Sequence, residues 1–175
     1  MEHLVINRDA MIALLIKSYR NNQLMTHTTE SVATILEREL LPTIQGWMKR
    51  VEALPGLTRV RLTHNERGVH LIRLLKEVIV RLRLKENEQN PVTNSAQDHG
   101  KVRFEQGYTV PMLVEESRLL QVSIFDTLRI HHSTLNAQVL MMDVMTIADE
   151  CDAQLKQSVE TFMELERSGK TAGAS

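Results

Sequence analysis

Apolar residues recur every three or four positions through six stretches of this chain, the spacing that places them on one face of an α-helix. Trp47 lies on the apolar side of the second stretch, and we expect it in the core. A polar run over residues 85–91 is predicted to be a surface loop. The predicted helices cover about residues 4–20, 28–54, 64–84, 95–106, 110–131 and 133–167.

Local signals set the expected ends of these helices. A capping box begins at Thr63, and Ser133 can cap the last helix. Gly107 can close the fourth helix, because glycine accepts the left-handed conformation that often follows a helix end. Pro42 lacks the amide hydrogen that a helix interior needs, so we expect a kink or a break at Leu41.

Composition supports an all-α protein. The 175 residues include only 7 Gly and 4 Pro, and aromatic residues make up 3%. Few helix breakers and few aromatic residues suit long helices better than strands. We therefore predict a single helical domain over residues 1–167, built from about six helices with a long one at its end. Residues 168–175 are small and polar, and we expect a disordered tail or a truncated linker there.

The charge balance and the reactive residues limit the classes of function that we expect. Lys and Arg total 21 against 22 Asp and Glu, so we expect no nucleic-acid partner. No apolar run reaches the ~20 residues that cross a bilayer, and we expect a cytoplasmic protein without a membrane partner. Metal-binding and catalytic motifs are absent from the sequence, so neither a metal nor a cofactor is predicted. A single histidine can still hold haem, an alternative that an absorbance spectrum tests.

The last predicted helix has a seven-residue apolar period beginning at Met141. This period is typical of a coiled-coil seam, so we expect Leu155, Phe162 and Leu165 to meet a second copy of the chain or to continue into an output module. The alternative is that residues 141–155 pack into the same domain and the rest frays. Either way, the helix is longer than a compact domain of this size needs.

The fourth helix has a face of small and charged residues. Ala96, His99, Gly100 and Arg103 are three or four positions apart and therefore share one side. Gly100 costs about 1 kcal/mol in a helix relative to alanine, which indicates that a neighbouring helix or a ligand approaches closely. Histidine titrates near physiological pH, so His99 is a candidate for a ligand or switch role.

A short pattern in this region resembles a known family. Its residues are His99, Gly100, Arg103, Gly107, Tyr108 and Glu116, followed by Leu120. The pattern is similar to that of the N-terminal sensor domain of RsbT co-antagonist proteins (RsbR and RsbRD type), a domain also found ahead of histidine kinases. The chain departs from the family pattern at Ser117, where an aromatic residue is usual, and at Gln121, where arginine is usual.

The resemblance implies a globin-like helical bundle without bound haem, often dimeric, upstream of a kinase or a STAS-type output domain. It implies no activity of its own, and any kinase activity would reside in the output domain. We therefore expect a non-catalytic, homodimeric sensor domain of a bacterial stress-response or two-component system, which relays a signal through its last helix. The residues carried over as candidate ligand or switch groups are His99, Arg103, Tyr108 and Glu116, with Gly100 and Gly107 as packing residues.

Two alternatives remain open for these residues. His99 and Arg103 can pair with a carboxylate such as Glu105, Glu115 or Glu116 and fix one helix against the next. They can also form a pocket with Glu116 in a stand-alone ligand-binding or cofactor-binding protein or a small enzyme. A deep polar pocket converging on His99 would favour this second alternative.

Overall fold

A computed structural model describes residues 29–84, 88 and 93–172 of the chain. Helices account for 84% of these residues, and no strand occurs among them apart from one isolated bridge between Glu30 and Leu135. The prediction of an all-α fold is therefore confirmed. The described helices are α1 (Val32–Arg38), α2 (Leu40–Glu52), α3 (Pro55–Thr58), α4 (His64–Arg83), α5 (Ser95–Glu105), α6 (Val110–Ile130) and α7 (Ala137–Ala172), with a short 3-10 helix over His132–Thr134.

The second predicted helix is divided at Glu39, which separates α1 from α2. Pro42 is the third residue of α2. Its nitrogen cannot donate to the carbonyl of Arg38, four residues earlier, so the ladder of helical hydrogen bonds is interrupted there. The break was expected at Leu41 and falls two residues before it, because proline is tolerated in the first turn of a new helix.

Two of the predicted helix ends are confirmed by their hydrogen bonds. The Thr63 hydroxyl accepts from the Glu66 amide at 3.3 Å, and the Glu66 carboxylate accepts from the Thr63 amide at 2.8 Å. Gly107 has a φ of +78° and follows α5. The Tyr108 amide then donates back to the Arg103 carbonyl at 3.0 Å, which closes the helix in a Schellman motif and turns the chain toward α6.

Helix α7 differs from its predicted bounds at both ends. Ser133 was expected to cap it but lies in the 3-10 helix, and the Asn136 side chain instead accepts from the Gln138 amide at 3.0 Å. At the other end α7 continues to Ala172, five residues into the segment predicted to be a disordered tail. Residues 173–175, the predicted first helix over 4–20 and most of the 85–91 loop lie outside the described residues.

The buried apolar residues form one core, to which all seven described helices contribute. Helix α2 packs on α6, α5 packs on α7, and α4 contacts α1, α2, α5 and α7. Trp47 is fully buried, as predicted, and its indole nitrogen donates to the Glu116 carbonyl at 3.1 Å. This bond ties α2 to α6 beside the candidate site. The globin-like arrangement of the helices stays a prediction.

Candidate functional site

The candidate site is a cluster of buried polar side chains between α4, α5 and α6. Helix α5 buries the predicted face, which consists of Ala96, His99, Gly100 and Arg103. Glu116 is supplied by α6, and the turn at Gly107 brings it back toward α5. The cluster consists of Arg67, His99, Arg103, Tyr108 and Glu116, all of them buried.

Arg103 and Glu116 form an ion pair with no solvent exposure on either side chain. The Arg103 Nε donates to Glu116 Oε2 at 2.8 Å. The guanidinium also donates to the Arg67 carbonyl at 2.6 Å and to the Gln106 side chain at 2.7 Å. Of the three carboxylates that could pair with Arg103, the structure selects Glu116. Charged groups this deeply buried are retained only when they are paired and hydrogen-bonded, as they are here.

Tyr108 links the ion pair to a second arginine. Its hydroxyl donates to Glu116 Oε1 at 2.8 Å and accepts from Arg67 Nη1 at 2.7 Å. The Arg103 guanidinium lies 4.9 Å from the centre of the Tyr108 ring, which adds a cation–π contact. Burial, and then the negative charge of Glu116, raise the pKa of Tyr108. The phenol therefore stays protonated and acts as a donor to the carboxylate.

His99 approaches the same carboxylate from α5. Its Nε2 lies 3.5 Å from Glu116 Oε2, and its Nδ1 has no hydrogen-bond partner among the described residues. The ring of His70, on α4, lies 6.4 Å away between centroids. Burial lowers the pKa of His70, and the neighbouring His99 and Arg103 side chains lower it further. His70 is consequently held in its neutral form beside the cluster.

Glu116 is ionised in this environment. Burial alone would raise its pKa, but the hydrogen bond from His99 and the charge of Arg103 outweigh that effect and lower it. The cluster therefore holds one carboxylate and two guanidinium groups, those of Arg67 and Arg103. Such a group of charges responds to any proton or ion that reaches it, because few water molecules screen it.

Arg67 was not identified from the sequence as a member of the buried cluster. It is 5% exposed and donates to the Val60 carbonyl at 2.8 Å as well as to Tyr108. The spacing of the sequence could have identified it, because Arg67 lies one helical turn before Leu71 and so occupies the buried stripe of α4. A charged residue on an apolar stripe indicates a buried polar partner.

Gly100 brings α5 against the backbone of α7. A Cβ atom at Gly100 would lie 2.2 Å from the Ser158 carbonyl oxygen, which is far inside van der Waals contact. The Ser158 hydroxyl also donates to the Ala96 carbonyl at 2.8 Å. One turn further along, Phe104 and Phe162 pack edge to face with 5.3 Å between ring centroids. The packing reason predicted for Gly100 is therefore the close approach of α7.

A small cavity lies between His99 and α7. Its volume is about 20 Å³, room for about one water molecule. The polar residues lining it are His99, Ser117, Gln154 and Ser158, and Cys151 borders it. Burial, and then the charges of Glu150 and Asp152, raise the pKa of Cys151 to about 12. The thiol therefore stays protonated and is no nucleophile at neutral pH.

The expected seam on α7 needs correction. Phe162 is 4% exposed and packs inside the monomer against Phe104, so it is not available to a second copy. Leu155 is half-buried and borders the cavity beside His99, and Leu165 is half-buried near the helix end. The buried residues of α7 are Ile147, Glu150, Cys151, Gln154, Ser158 and Phe162.

No model of a known protein family matches the chain, and neither a curated protein nor a solved structure was found to be similar to it. Within residues 29–84 and 93–172, no helix has both the length and the apolar character needed to cross a bilayer. In the same part of the chain, no group of three or more His, Cys, Asp and Glu side chains is placed to hold a metal ion.

Proposed function

We propose that this chain is a non-catalytic regulatory sensor domain, the input module of a bacterial signalling protein, in which the buried cluster on α5 and α6 is coupled to α7. It works in the cytoplasm as a homodimer. A kinase or a STAS-type domain, in the same chain or in a partner, receives the signal. The resemblance around His99 and Tyr108 supports this class of function.

The observation that carries the proposal is the contact between Gly100 and Ser158. His99 precedes Gly100 directly, and Gly100 lies against the backbone of α7 with no room for a methyl group. A change at the cluster that displaces the backbone at His99 shifts α5, and α5 cannot shift toward α7 without displacing it. Tightly packed helices transmit such shifts as rigid bodies rather than absorbing them.

The chemistry of the cluster supports a switch more than a structural role alone. Replacing a buried ion pair with apolar side chains is often neutral or stabilising, so Arg103 and Glu116 are a costly way to hold two helices together. A proton or a small ligand that changes the 3.5 Å contact between His99 and Glu116 would alter the charge balance of the cluster. Because Tyr108 is hydrogen-bonded to both Glu116 and Arg67, the change extends to Arg67 on α4.

The size of the cavity favours a sensor over an enzyme. Pockets that hold small-molecule substrates measure about 300–1,000 Å³. The cavity beside His99 holds about 20 Å³, and neither Arg103 nor Glu116 is exposed to solvent. A stand-alone enzyme using these three side chains would need a pocket that reaches them.

Hydrogen exchange measured by mass spectrometry tests the coupling. The variant His99→Leu removes the imidazole and leaves an apolar side chain of similar size. We expect faster exchange along α7 between residues 148 and 165, because His99 loses its 3.5 Å contact with Glu116 on α6 and the packing of α5 on α7 loosens. Exchange in α2 should change less than exchange in α7.

The matched control is Ile35→Val in α1, a buried position away from α7, which should cost about 0.5–1.5 kcal/mol of global stability. Both variants are compared at equal free energy of unfolding, adjusted with urea. If α7 exchanges no faster in His99→Leu than in Ile35→Val, the cluster is not coupled to α7 and the proposed sensor mechanism is wrong.

A further inference from the structure

The beginning of α7 carries an exposed apolar face. Met141, Met142 and Met145 are 68%, 60% and 58% exposed, and Val139 beside them is 45% exposed. The first fully buried residue of α7 is Ile147, ten residues after the helix begins. A contiguous group of exposed large apolar side chains indicates an interaction surface. We call Val139, Met141, Met142 and Met145 the methionine face.

The part of α7 that carries the methionine face is acidic in sequence. Between residues 137 and 155 the chain has four carboxylate side chains and no lysine or arginine. Asp149 and Asp152 follow Met145 by one and two helical turns and are both exposed. Methionine side chains are unbranched and polarisable and adapt to many partner shapes. Apolar adaptable side chains beside carboxylates fit an amphipathic helix with a basic edge.

The described chain begins next to the start of α7. The Glu30 amide donates to the Thr134 carbonyl at 2.8 Å, and Glu30 forms a bridge with Leu135, two residues before α7 begins. Residues 1–28 precede this point and lie outside the described structure. Eight residues, 21–28, can span up to about 26–29 Å when extended. The methionine face lies within about 12 Å of the start of α7 along the helix axis.

The sequence of residues 4–20 has the chemistry that the methionine face requires. Leu4, Met11, Leu14, Leu15 and Tyr19 follow helical spacing. Residues 1–28 contain three basic side chains, Arg8, Lys17 and Arg20, and two acidic ones, which gives a net charge of +1. An acidic, apolar stretch of α7 and a segment with a net positive charge and a helical apolar pattern therefore occur in the same chain. We propose that residues 4–20 dock on the methionine face of α7 in the same molecule.

Methionine oxidation tests this docking in the full chain. Leu14→Asp combined with Leu15→Asp should make Met142 and Met145 react with hydrogen peroxide several-fold faster than in the unmodified protein, because the apolar contact is lost. Met163, which is exposed further along α7, serves as the internal reference and should keep its rate. A matched double variant, Ile6→Asp with Ala13→Asp, places the same charge on the opposite side of the predicted helix and should leave all three rates unchanged. Equal rates at Met142 and Met145 in all the proteins would overturn the proposal.

A cysteine pair identifies the molecule that supplies the segment. Leu14→Cys combined with Met145→Cys should form a disulfide within one chain under mild oxidation, whereas Leu14→Cys with Met163→Cys should not. The native Cys151 is buried and does not compete. A disulfide between two chains at position 145 would show that a second copy covers the face, which also overturns the proposal. These results are independent of the coupling between α5 and α7, so failure here leaves the sensor mechanism standing.

Discussion

Glu116 is the residue on which the buried cluster depends. Arg103 and Tyr108 each direct a polar hydrogen atom to its carboxylate, and His99 lies 3.5 Å from it. Its own carbonyl accepts from Trp47. Without the charge of Glu116, two guanidinium groups would be buried without a counter-ion. The cost of that arrangement exceeds the cost of losing a hydrogen bond.

Replacing Glu116 with glutamine should lower the free energy of unfolding by about 3–5 kcal/mol at pH 7, because one partner of a buried ion pair is removed. Urea unfolding followed by circular dichroism measures the loss. The control is Glu115→Gln on the same helix, whose carboxylate pairs with Arg118 at the surface and should matter by less than about 1 kcal/mol. Equal stability of the two variants would contradict the role given to Glu116.

Glu116→Gln should also change how the free energy of unfolding depends on pH in the acid range. The pKa of Glu116 is held below its ordinary value in the folded protein, so the unfolded chain binds the proton more readily. The contribution of this group is complete above the ordinary glutamate pKa and is lost as the pH falls through the lower folded-state pKa. Unfolding of Glu116→Gln should consequently depend less on pH below about pH 5. An acid limb as steep as that of the unmodified protein would contradict the lowered pKa.

Part of this buried cluster could be predicted from the sequence. The face of α5 with His99 and Arg103 was readable from spacing, but the choice among Glu105, Glu115 and Glu116 was not. That choice depends on the turn at Gly107, which sets how far α6 is rotated relative to α5. Spacing within one helix fixes directions, whereas contacts between helices depend on the connection.

At the scale of elements, helix ends that depend on neighbouring residues were predictable and those that depend on packing were not. Thr63 and Gly107 act through hydrogen bonds within a few residues, and both were placed correctly. Ser133 also has a capping side chain, but it lies in a 3-10 helix after α6, and Asn136 stands closer to the first free amides of α7. The bridge between Glu30 and Leu135 beside it is a long-range contact that no local signal announces.

Substitutions of Trp47 test the contact between α2 and α6. Trp47→Ala should reduce the free energy of unfolding by about 3–5 kcal/mol, because a fully buried aromatic side chain is lost and a cavity remains. Trp47→Phe keeps most of the apolar surface and loses the hydrogen bond to Glu116, so it should cost less than Trp47→Ala. Denaturant unfolding gives both values. A loss below about 1 kcal/mol for Trp47→Ala would show that α2 and α6 are not held by this side chain.

For the whole molecule, the period of α7 was correctly identified as helical but its inner face was only partly assigned. The seven-residue register from Met141 and the observed buried stripe share Cys151, Ser158 and Phe162 and diverge elsewhere. A helix of 3.6 residues per turn drifts slowly against a repeat of 3.5, so over a few turns both describe the same residues. Sequence period alone does not distinguish a face buried in its own domain from one buried against a second copy.

Two substitutions near the end of α7 distinguish burial within one domain from burial against a second copy. Phe162→Asp should unfold the domain or cost at least about 3 kcal/mol, because a charge replaces a ring packed against Phe104. Leu165→Asp should keep the melting temperature and weaken self-association, because Leu165 is half-buried at the part of α7 proposed to meet a second copy. Thermal melting and light scattering on the same samples measure both properties.

Met163→Asp is the matched control, since Met163 is exposed on the same turn of α7 and lies about 160° around the helix from Leu165. It should leave the melting temperature and the molar mass unchanged. A dimer that survives Leu165→Asp at micromolar concentration would remove the end of α7 from the dimer interface. Because Phe162 is already buried within one molecule, the interface would then have to lie on another surface.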